Sequence, residues 1–397
     1  MKVCVVGGGG REHALAHVLG RTSEVVRRKD DPGGTDADLY VIGPERPLVD
    51  GLADRLRDQG RLVFGPGAAG ARIEGSKAWM KEVLAQAGVP TARHGTFTEP
   101  EPAVQFLKSL PGLYVVKTDG LAAGKGVLVT ESLDEAVDDV RAKLAGTSFG
   151  DAGRTVVIEE GLRGPELSLL AVCDGRRAVP LAPARDHKRL GEGDTGPNTG
   201  GMGAYSPVAE AGTEVVDEVM ERAVLPTLAA LRRLGIDYRG VLYAGLMLTA
   251  DGIKVLEYNV RFGDPEAQVV LPRYTGDLAA FLAEAAAGHL SAEPTFSDDA
   301  CVTVVLAAAD YPASPRSGDV ITGVEEAESG EGVTVFHAGA ERRADGRLVT
   351  AGGRVLDVTA LGSSVEEARR RAYQAVAHIS FPGVQYRGDI ALEAEGA

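Results

Sequence analysis

Residues 253–268 read IKVLEYNVRFGDPEAQ, and the fold turns on how this stretch is read. Its first half is a strand by composition. Ile253, Val255, Leu256, Tyr258 and Val260 are aliphatic, β-branched or aromatic, and Asp251-Gly252 before them is a hairpin signal. A period of two puts Glu257 and Asn259 on one face, with Val255 and Arg261 in line. A carboxylate and an amide oxygen are hard ligands, of the kind Mg²⁺ takes beside phosphate oxygens. Arg261 adds a planar fork for a carboxylate or a phosphate. Gly263-Asp264-Pro265-Glu266 then turns the chain. Taken alone, the E-x-N-x-R pattern is equally compatible with a buried ion pair at a strand end.

A chain of 397 residues should hold two to three domains, at roughly 100–200 residues each. A net charge of −15 argues against a nucleic-acid groove or an anionic membrane surface as the main partner. Nucleotide binding needs only a local cluster of cations and is untouched by that argument. Cys4, Cys173 and Cys301 each lie in an apolar run without a CxxC partner, which predicts buried free thiols in a reducing compartment. The N-terminus enters a strand at once, so no signal peptide is expected, and no apolar stretch is long enough for a membrane span. A cytoplasmic protein is expected.

Outward from the central stretch, Val3 to Val6 reads as a buried parallel strand, followed by Gly7-Gly8-Gly9-Gly10 and an amphipathic helix from Arg11. Strand, glycine loop and helix N-terminus form the anion-binding arrangement of a Rossmann-like unit. It is a poor dinucleotide fingerprint, because the third glycine of G-x-G-x-x-G falls on Glu12. A strand could begin at Val25-Val26, but the charged segment 27–36 reads as an exposed loop, and the next strand starts near Leu39. A complete βαβ unit does not fit there.

Residues 76–87 read as a helix carrying Lys77, and 113–117 as a strand ending in Lys117. The segment TDGLAAGKGV (118–127) is not a Walker A loop: its glycine spacing is one residue short, and Gly126 stands where Ser or Thr is needed. Lysines around a Gly/Ala loop suit a lid over nucleotide phosphates. Thr155 to Leu162 is a strand running into a linker, and 191–207 (GEGDTGPNTGGMGAYSP) reads as a long loop. Residues 213–234 form a helix with a kink at Pro226, and Val241 to Leu248 pairs with the central strand. That partner strand carries no acid to serve a second metal. Beyond Gly288, strands at 301–306, 333–337 and 353–359 and a helix at 364–379 make a small α+β unit.

The motifs GGREHALA, GPERPLV, EGSKA, DGLAAGKGV, DHKR, GPNTGGMGAYSP, RFGDPEAQ and GGRVLDVTALG occur in that order. Together they resemble the glycinamide ribonucleotide synthetase (phosphoribosylamine–glycine ligase) family of ATP-grasp enzymes. The resemblance implies an α/β chain: a Rossmann-like N-terminal domain (1–75), a two-lobed ATP-grasp core (76–287, lid about 118–185) and a small α+β C-terminal domain (288–397). It implies ATP as co-substrate, with glycine and phosphoribosylamine as the other small-molecule partners. It also implies Mg²⁺ or Mn²⁺ on Glu257 and Asn259. Lys77, Lys117 and Lys125 would neutralise the nucleotide. Glu159 and Leu162 would meet the adenine edge, and Glu166 the ribose. Gly9, Gly10, Arg11, Glu12, Asp186, His187, Lys188, Asn198, Gly200, Arg261 and Asp264 would line the substrate site, with Arg261, Lys117 and Asp186 catalytic. The chain departs from the family at about 22–37, where the family's second strand, Pro-Gly-Asn loop and helix are expected to be missing. A monomer is expected. The rival readings are another ATP-grasp ligase or carboxylase, and a nucleotide-binding protein whose turnover is impaired by the shortened domain.

Overall fold

The structure, a computed structural model, describes residues 1–121, 126–146 and 154–395. Lys125, expected in the lid, lies outside the described residues.

The N-terminal apolar run forms β1 (Lys2–Val6), the centre of a parallel sheet. Its unbroken apolarity follows from burial on both faces. Val3 and Val5 share a core with Ala14, Leu15, Val18 and Leu19 of helix α1 (Gly10–Leu19). Cys4 and Val6 share another with residues of α2 (Glu45–Val49) and α3 (Leu52–Asp58). The sheet order is β2 (Glu24–Arg28), β1, β3 (Leu39–Ile42), β4 (Val63–Phe64).

The second strand expected to be missing is therefore present. It pairs with β1 along its whole length, from Lys2 opposite Glu24 to Val6 opposite Arg28. Arg27 and Arg28 belong to it and not to a loop. Charge is tolerated there because β2 is an edge strand with its outer side in water. What the chain lacks is a helix between β2 and β3. Ten residues make the crossing, anchored by the Lys2 N–H donating to Asp38 at 2.8 Å and by the Tyr40 hydroxyl donating to the Thr35 carbonyl.

Helices α4 (Ala68–Gly75) and α5 (Lys77–Ala87) lead into an antiparallel sheet of order β5 (His94–Phe97), β8 (Val156–Glu160), β6 (Tyr114–Thr118), β7 (Val127–Thr130). With α6 (Pro100–Lys108) and α7 (Leu133–Leu144) it builds a core of its own. The lid expected at about 118–185 is thus drawn differently, as a unit from 94 to 160. Residues from β9 (Glu166–Asp174) onward belong to the next sheet. That sheet is β10 (Ala178–Pro180), β9, β15 (Arg239–Thr249), β16 (Gly252–Asn259).

The stretch expected as a loop at 191–207 is largely paired. Strand β12 (Arg189–Gly191) and β13 (Thr195–Asn198) form a ribbon. β11 (Arg185–Asp186) and β14 (Gly203–Ser206) extend the C-terminal sheet of β17 (Ala300–Ala307), β18 (Val333–His337) and a last strand at Arg354–Gly362. The C-terminal unit therefore borrows strands from the catalytic part of the chain. The helix expected at 213–234 is interrupted by a π turn at Met220–Val224, just before Pro226, whose ring cannot accept a regular α turn behind it. All three cysteines are buried and unpaired. Among the described residues no helix is long and apolar enough to cross a membrane.

Candidate active site

The central strand does not alternate as a simple period of two requires. Gly245 faces Glu257 and Leu246 faces Val255, so Leu256 is an extra residue in β16. This bulge shifts the phase of the side chains. Val255, Tyr258 and Val260 all enter one core, while Glu257, Asn259 and Arg261 take the opposite side. Val255 is therefore not in line with Glu257, as strict alternation predicts. The bulge also frees the Leu256 carbonyl, which accepts from Lys117 Nζ at 3.2 Å across the gap between the two sheets.

Glu257 is half-buried and makes no hydrogen bond or ion pair among the described residues. Burial pushes its carboxyl up, but Lys188, Lys117, Lys77 and Arg261 together outweigh burial and hold it below the usual carboxylate range. A charged, unpaired carboxylate among four cations is poised for something the protein itself does not provide. Asn259 stands beside it, with its amide oxygen accepting from Arg261 Nη2 at 3.2 Å. Among the described residues no group of three or more His, Cys, Asp or Glu side chains is placed to hold a metal ion. The donor set is one carboxylate and one amide oxygen. It fits Mg²⁺ or Mn²⁺ shared with substrate phosphates better than an all-protein cage.

Arg261, expected as an open fork, is largely occupied. Nη2 lies 3.0 Å from Glu74 Oε1, Nε lies 3.5 Å from Glu45 Oε2, and Nη1 donates to the Phe262 carbonyl at 3.3 Å. Nε itself has no hydrogen-bond partner. Lys117 lies 2.8 Å from Glu159 Oε1, and Lys81 lies 3.1 Å from Glu159 Oε2. Burial raises the Glu159 carboxyl, yet these two lysines bring it below its ordinary value. Lys81 is 1% exposed, and burial draws its amine down to about 8 against the opposing pull of Glu159. Lys81 Nζ also donates to Thr91 Oγ1 at 2.7 Å, and Thr91 passes the bond on to the Val255 carbonyl at 2.6 Å. Lys77 donates to the Gly120 carbonyl at 3.0 Å at the mouth of the expected lid. Leu162, just past β8, has an N–H with no backbone acceptor among the described residues.

On the other side of Glu257, Lys188 bridges Glu166 at 2.6 Å and Asp186 at 3.2 Å. Burial, reinforced by Glu266 and Glu166 and opposed by Lys188, pushes the Asp186 carboxyl up to about 7. His187 faces away, as the alternation of a strand dictates. Its Nε2 accepts the Ala391 N–H at 3.3 Å and lies 3.4 Å from Glu393, so the ring fastens the C-terminal segment and does not join Asp186 and Lys188. Asn198 sits on the β12–β13 ribbon opposite Arg189.

The glycine loop is shaped by Glu12. Its carboxylate accepts the Gly9 N–H at 2.6 Å at the start of α1, the half of a capping box that a glycine N-cap allows. The side chain is 2% exposed and lies against two bare glycines: a Cβ on Gly43 would stand 2.1 Å from Glu12 Oε1. Glu12, expected to meet substrate, is instead enclosed as the loop's internal brace. Arg11 reaches from it to the Phe262 carbonyl at 3.2 Å and to Glu45 at 3.4 Å. Gly10 abuts Asp357, whose Oδ2 a Cβ would approach to 2.0 Å. Gln268 Nε2 ties Asp264 and Asp357 together, at 2.8 Å each. Arg354 pairs with Asp264 at 3.1 Å and donates to the Gly200 carbonyl at 2.6 Å. Gly10, Gly200 and Asp264 are thus gathered by three side chains that sequence reasoning did not single out.

Comparison with known proteins points one way. Family models of phosphoribosylglycinamide synthetase match the chain as its N domain (residues 32–74), its ATP-grasp (A) domain (75–267) and its C domain (301–393). A phosphoribosylamine–glycine ligase of Streptomyces coelicolor is 48% identical over 427 aligned positions, covering 100% of both chains. One from a Synechocystis species is 47% identical, covering 99% of this chain and 100% of the other. This chain belongs to the phosphoribosylglycinamide synthetase family. The crystal structure of the Thermotoga maritima phosphoribosylamine–glycine ligase superposes with a TM-score of 0.85 at 36% identity, covering 98% of this chain and 100% of that one. The biotin carboxylase domain of a Hydrogenobacter thermophilus 2-oxoglutarate carboxylase shares the ATP-grasp fold alone, with a TM-score of 0.71 at 17% identity over 97% and 91% of the two chains. An alignment of 427 positions against 397 residues also shows that the Streptomyces family member carries residues this chain lacks.

Within this family member, Lys81, Glu74 and Glu45 are site-lining charges that the sequence reading did not single out, although Glu45 lies in GPERPLV and Glu74 in EGSKA. Lys81 could have been found, because it is four residues after Lys77 and so shares its face of α5. Glu74 and Glu45 stand inside motifs, but nothing local shows that they meet Arg261, which is nearly two hundred residues or more away along the chain.

Proposed function

We propose that the chain joins glycine to 5-phosphoribosylamine at the expense of ATP, giving glycinamide ribonucleotide, ADP and phosphate through a glycyl phosphate. The observation that carries this reading is the unpartnered Glu257 carboxylate, set among Lys77, Lys117, Lys188 and Arg261 with Asn259 beside it. Glu257 and Asn259 would hold Mg²⁺ or Mn²⁺. When bound, that ion neutralises phosphate charge and aligns the oxygens. Lys77 and Lys117 would neutralise the nucleotide, and the Leu162 N–H, without a backbone acceptor among the described residues, suits the adenine edge. Glu159 serves this end by holding Lys117 and not by meeting the base with its side chain. Glu166, paired with Lys188, would face the ribose.

Glycine's carboxylate attacks the γ-phosphate, and the amine of phosphoribosylamine then displaces phosphate from the acyl carbon. The protein's work is to hold these groups in line in a cleft with little water. Asp186, with its raised pKa, is suited to take the proton the amine sheds at neutral pH. The bare loop Gly7 to Gly10 offers the N-terminus of α1 to the sugar phosphate. Because β2 is retained, the wall beside that loop is built, and impaired turnover is the weaker of the readings. The buried free thiols and the net charge of −15 support a cytoplasmic enzyme of small molecules, and we take it to act as a monomer. The domain limits 1–75, 76–287 and 288–397 are retained as the working division.

The intermediate provides the test. With ATP and glycine alone, label placed in the β,γ-bridge of ATP is expected to scramble, or an acyl phosphate to be trapped, before any amine is added. Neither signal appearing would contradict a free-standing glycyl phosphate.

A further inference from the structure

Asn259 can present either its oxygen or its nitrogen to a cation with almost no change of shape, so something must fix which end faces the site. Arg261 does this. A guanidinium only donates, and its Nη2, 3.2 Å from Asn259 Oδ1, forces the amide oxygen inward while leaving that oxygen a second lone pair. Arg261 is in turn fixed by Glu74. One oxygen of Glu74 lies 3.0 Å from the same Nη2, and the other accepts the Val260 N–H at 2.7 Å. Glu74 is on α4, its side chain is 9% exposed, and it grips both the backbone and the side chain at the end of β16.

We propose that Glu74 is a positioning residue that orients Asn259 through Arg261 and so sets the affinity for the divalent cation. The proposal rests on the reading that Glu257 and Asn259 hold that ion. No step of the reaction is assigned to Glu74 itself.

The test uses the full chain and Mn²⁺ binding to its complex with a non-hydrolysable ATP analogue, read by electron paramagnetic resonance. Glu74→Gln keeps an acceptor for the Val260 N–H but removes the charge. It is expected to weaken Mn²⁺ binding by ~10- to ~100-fold, the usual effect of losing a group that orients a metal ligand. Thermal unfolding without metal reads the cost of the lost Glu74–Arg261 ion pair separately from Mn²⁺ affinity. Arg261→Lys, which keeps the charge but not the fork, is expected to give a loss in the same range, and decides the matter if Glu74→Gln fails to fold. Unchanged Mn²⁺ affinity in these variants, with a clear loss in Glu257→Gln, would overturn the role of Glu74 and leave the metal reading standing. Unchanged affinity in all three would overturn the metal reading, and the proposal with it.

Discussion

Glu257→Gln is expected to lower turnover by at least ~10²-fold at saturating Mg²⁺, because metal-borne charge stabilisation is worth several kcal/mol and glutamine cannot supply the anionic oxygen. The substitution is nearly isosteric, and Glu257 has no hydrogen-bond or ion-pair partner among the described residues to lose. The fold should be kept with a modest loss of stability at neutral pH, because the pull of Lys188, Lys117, Lys77 and Arg261 on the carboxylate outweighs burial and glutamine forfeits it. Near-normal turnover in this variant would remove Glu257 from the metal site. A collapse of stability together with activity would mean that the side chain is structural.

Lys81→Met is expected to cost about 3 kcal/mol of stability, the low end of the range for stripping one partner from a buried ion pair. The low end applies because Glu159 keeps Lys117 at 2.8 Å. Methionine fills the space of the lysine stem, so the loss should come from charge and from the bond to Thr91 Oγ1. A second effect follows. With Lys81 gone, Glu159 has a single counter-ion, and Lys117 is drawn more firmly onto it and away from the nucleotide. KM for ATP should rise about tenfold, a difference of roughly 1.4 kcal/mol, while KM for glycine stays within a factor of two or so. Denaturant unfolding and initial-rate kinetics report the two effects separately. If stability falls and KM for ATP does not move, Lys81 is a core lysine with no hold on Lys117.

How much of this could be read from the chain depended on the range of the interaction. β16 was legible from Asp251-Gly252 and a run of β-branched and aromatic residues, which are local signals. Its bulge was not, because an extra residue is defined only against a partner strand, here by Gly245 and Leu246. That is why Val255 was assigned to the wrong side. The end of β2, Arg27-Arg28, reads as loop for a related reason. Charge in Arg27 and Arg28 argues against a strand only if both edges are buried, and β2 has one edge in water. His187 and Glu12 sit in motifs that carry the resemblance, yet their side chains brace the fold, His187 at Ala391 and Glu12 at Gly9. A motif marks a neighbourhood and not the direction in which each side chain points. The grouping of Gly10, Asp264, Gln268, Asp357 and Arg354 joins residues up to about 350 positions apart, and no local pattern announces it.

The most direct test of the account is a product assay on the full chain with ATP, Mg²⁺, glycine and freshly generated phosphoribosylamine. Equal amounts of ADP, phosphate and glycinamide ribonucleotide are predicted, with sustained release requiring both glycine and the amine. Bicarbonate or another carboxylic acid should not replace glycine. ATP binding without phosphate release in the presence of both substrates would contradict the account, as would turnover supported by bicarbonate.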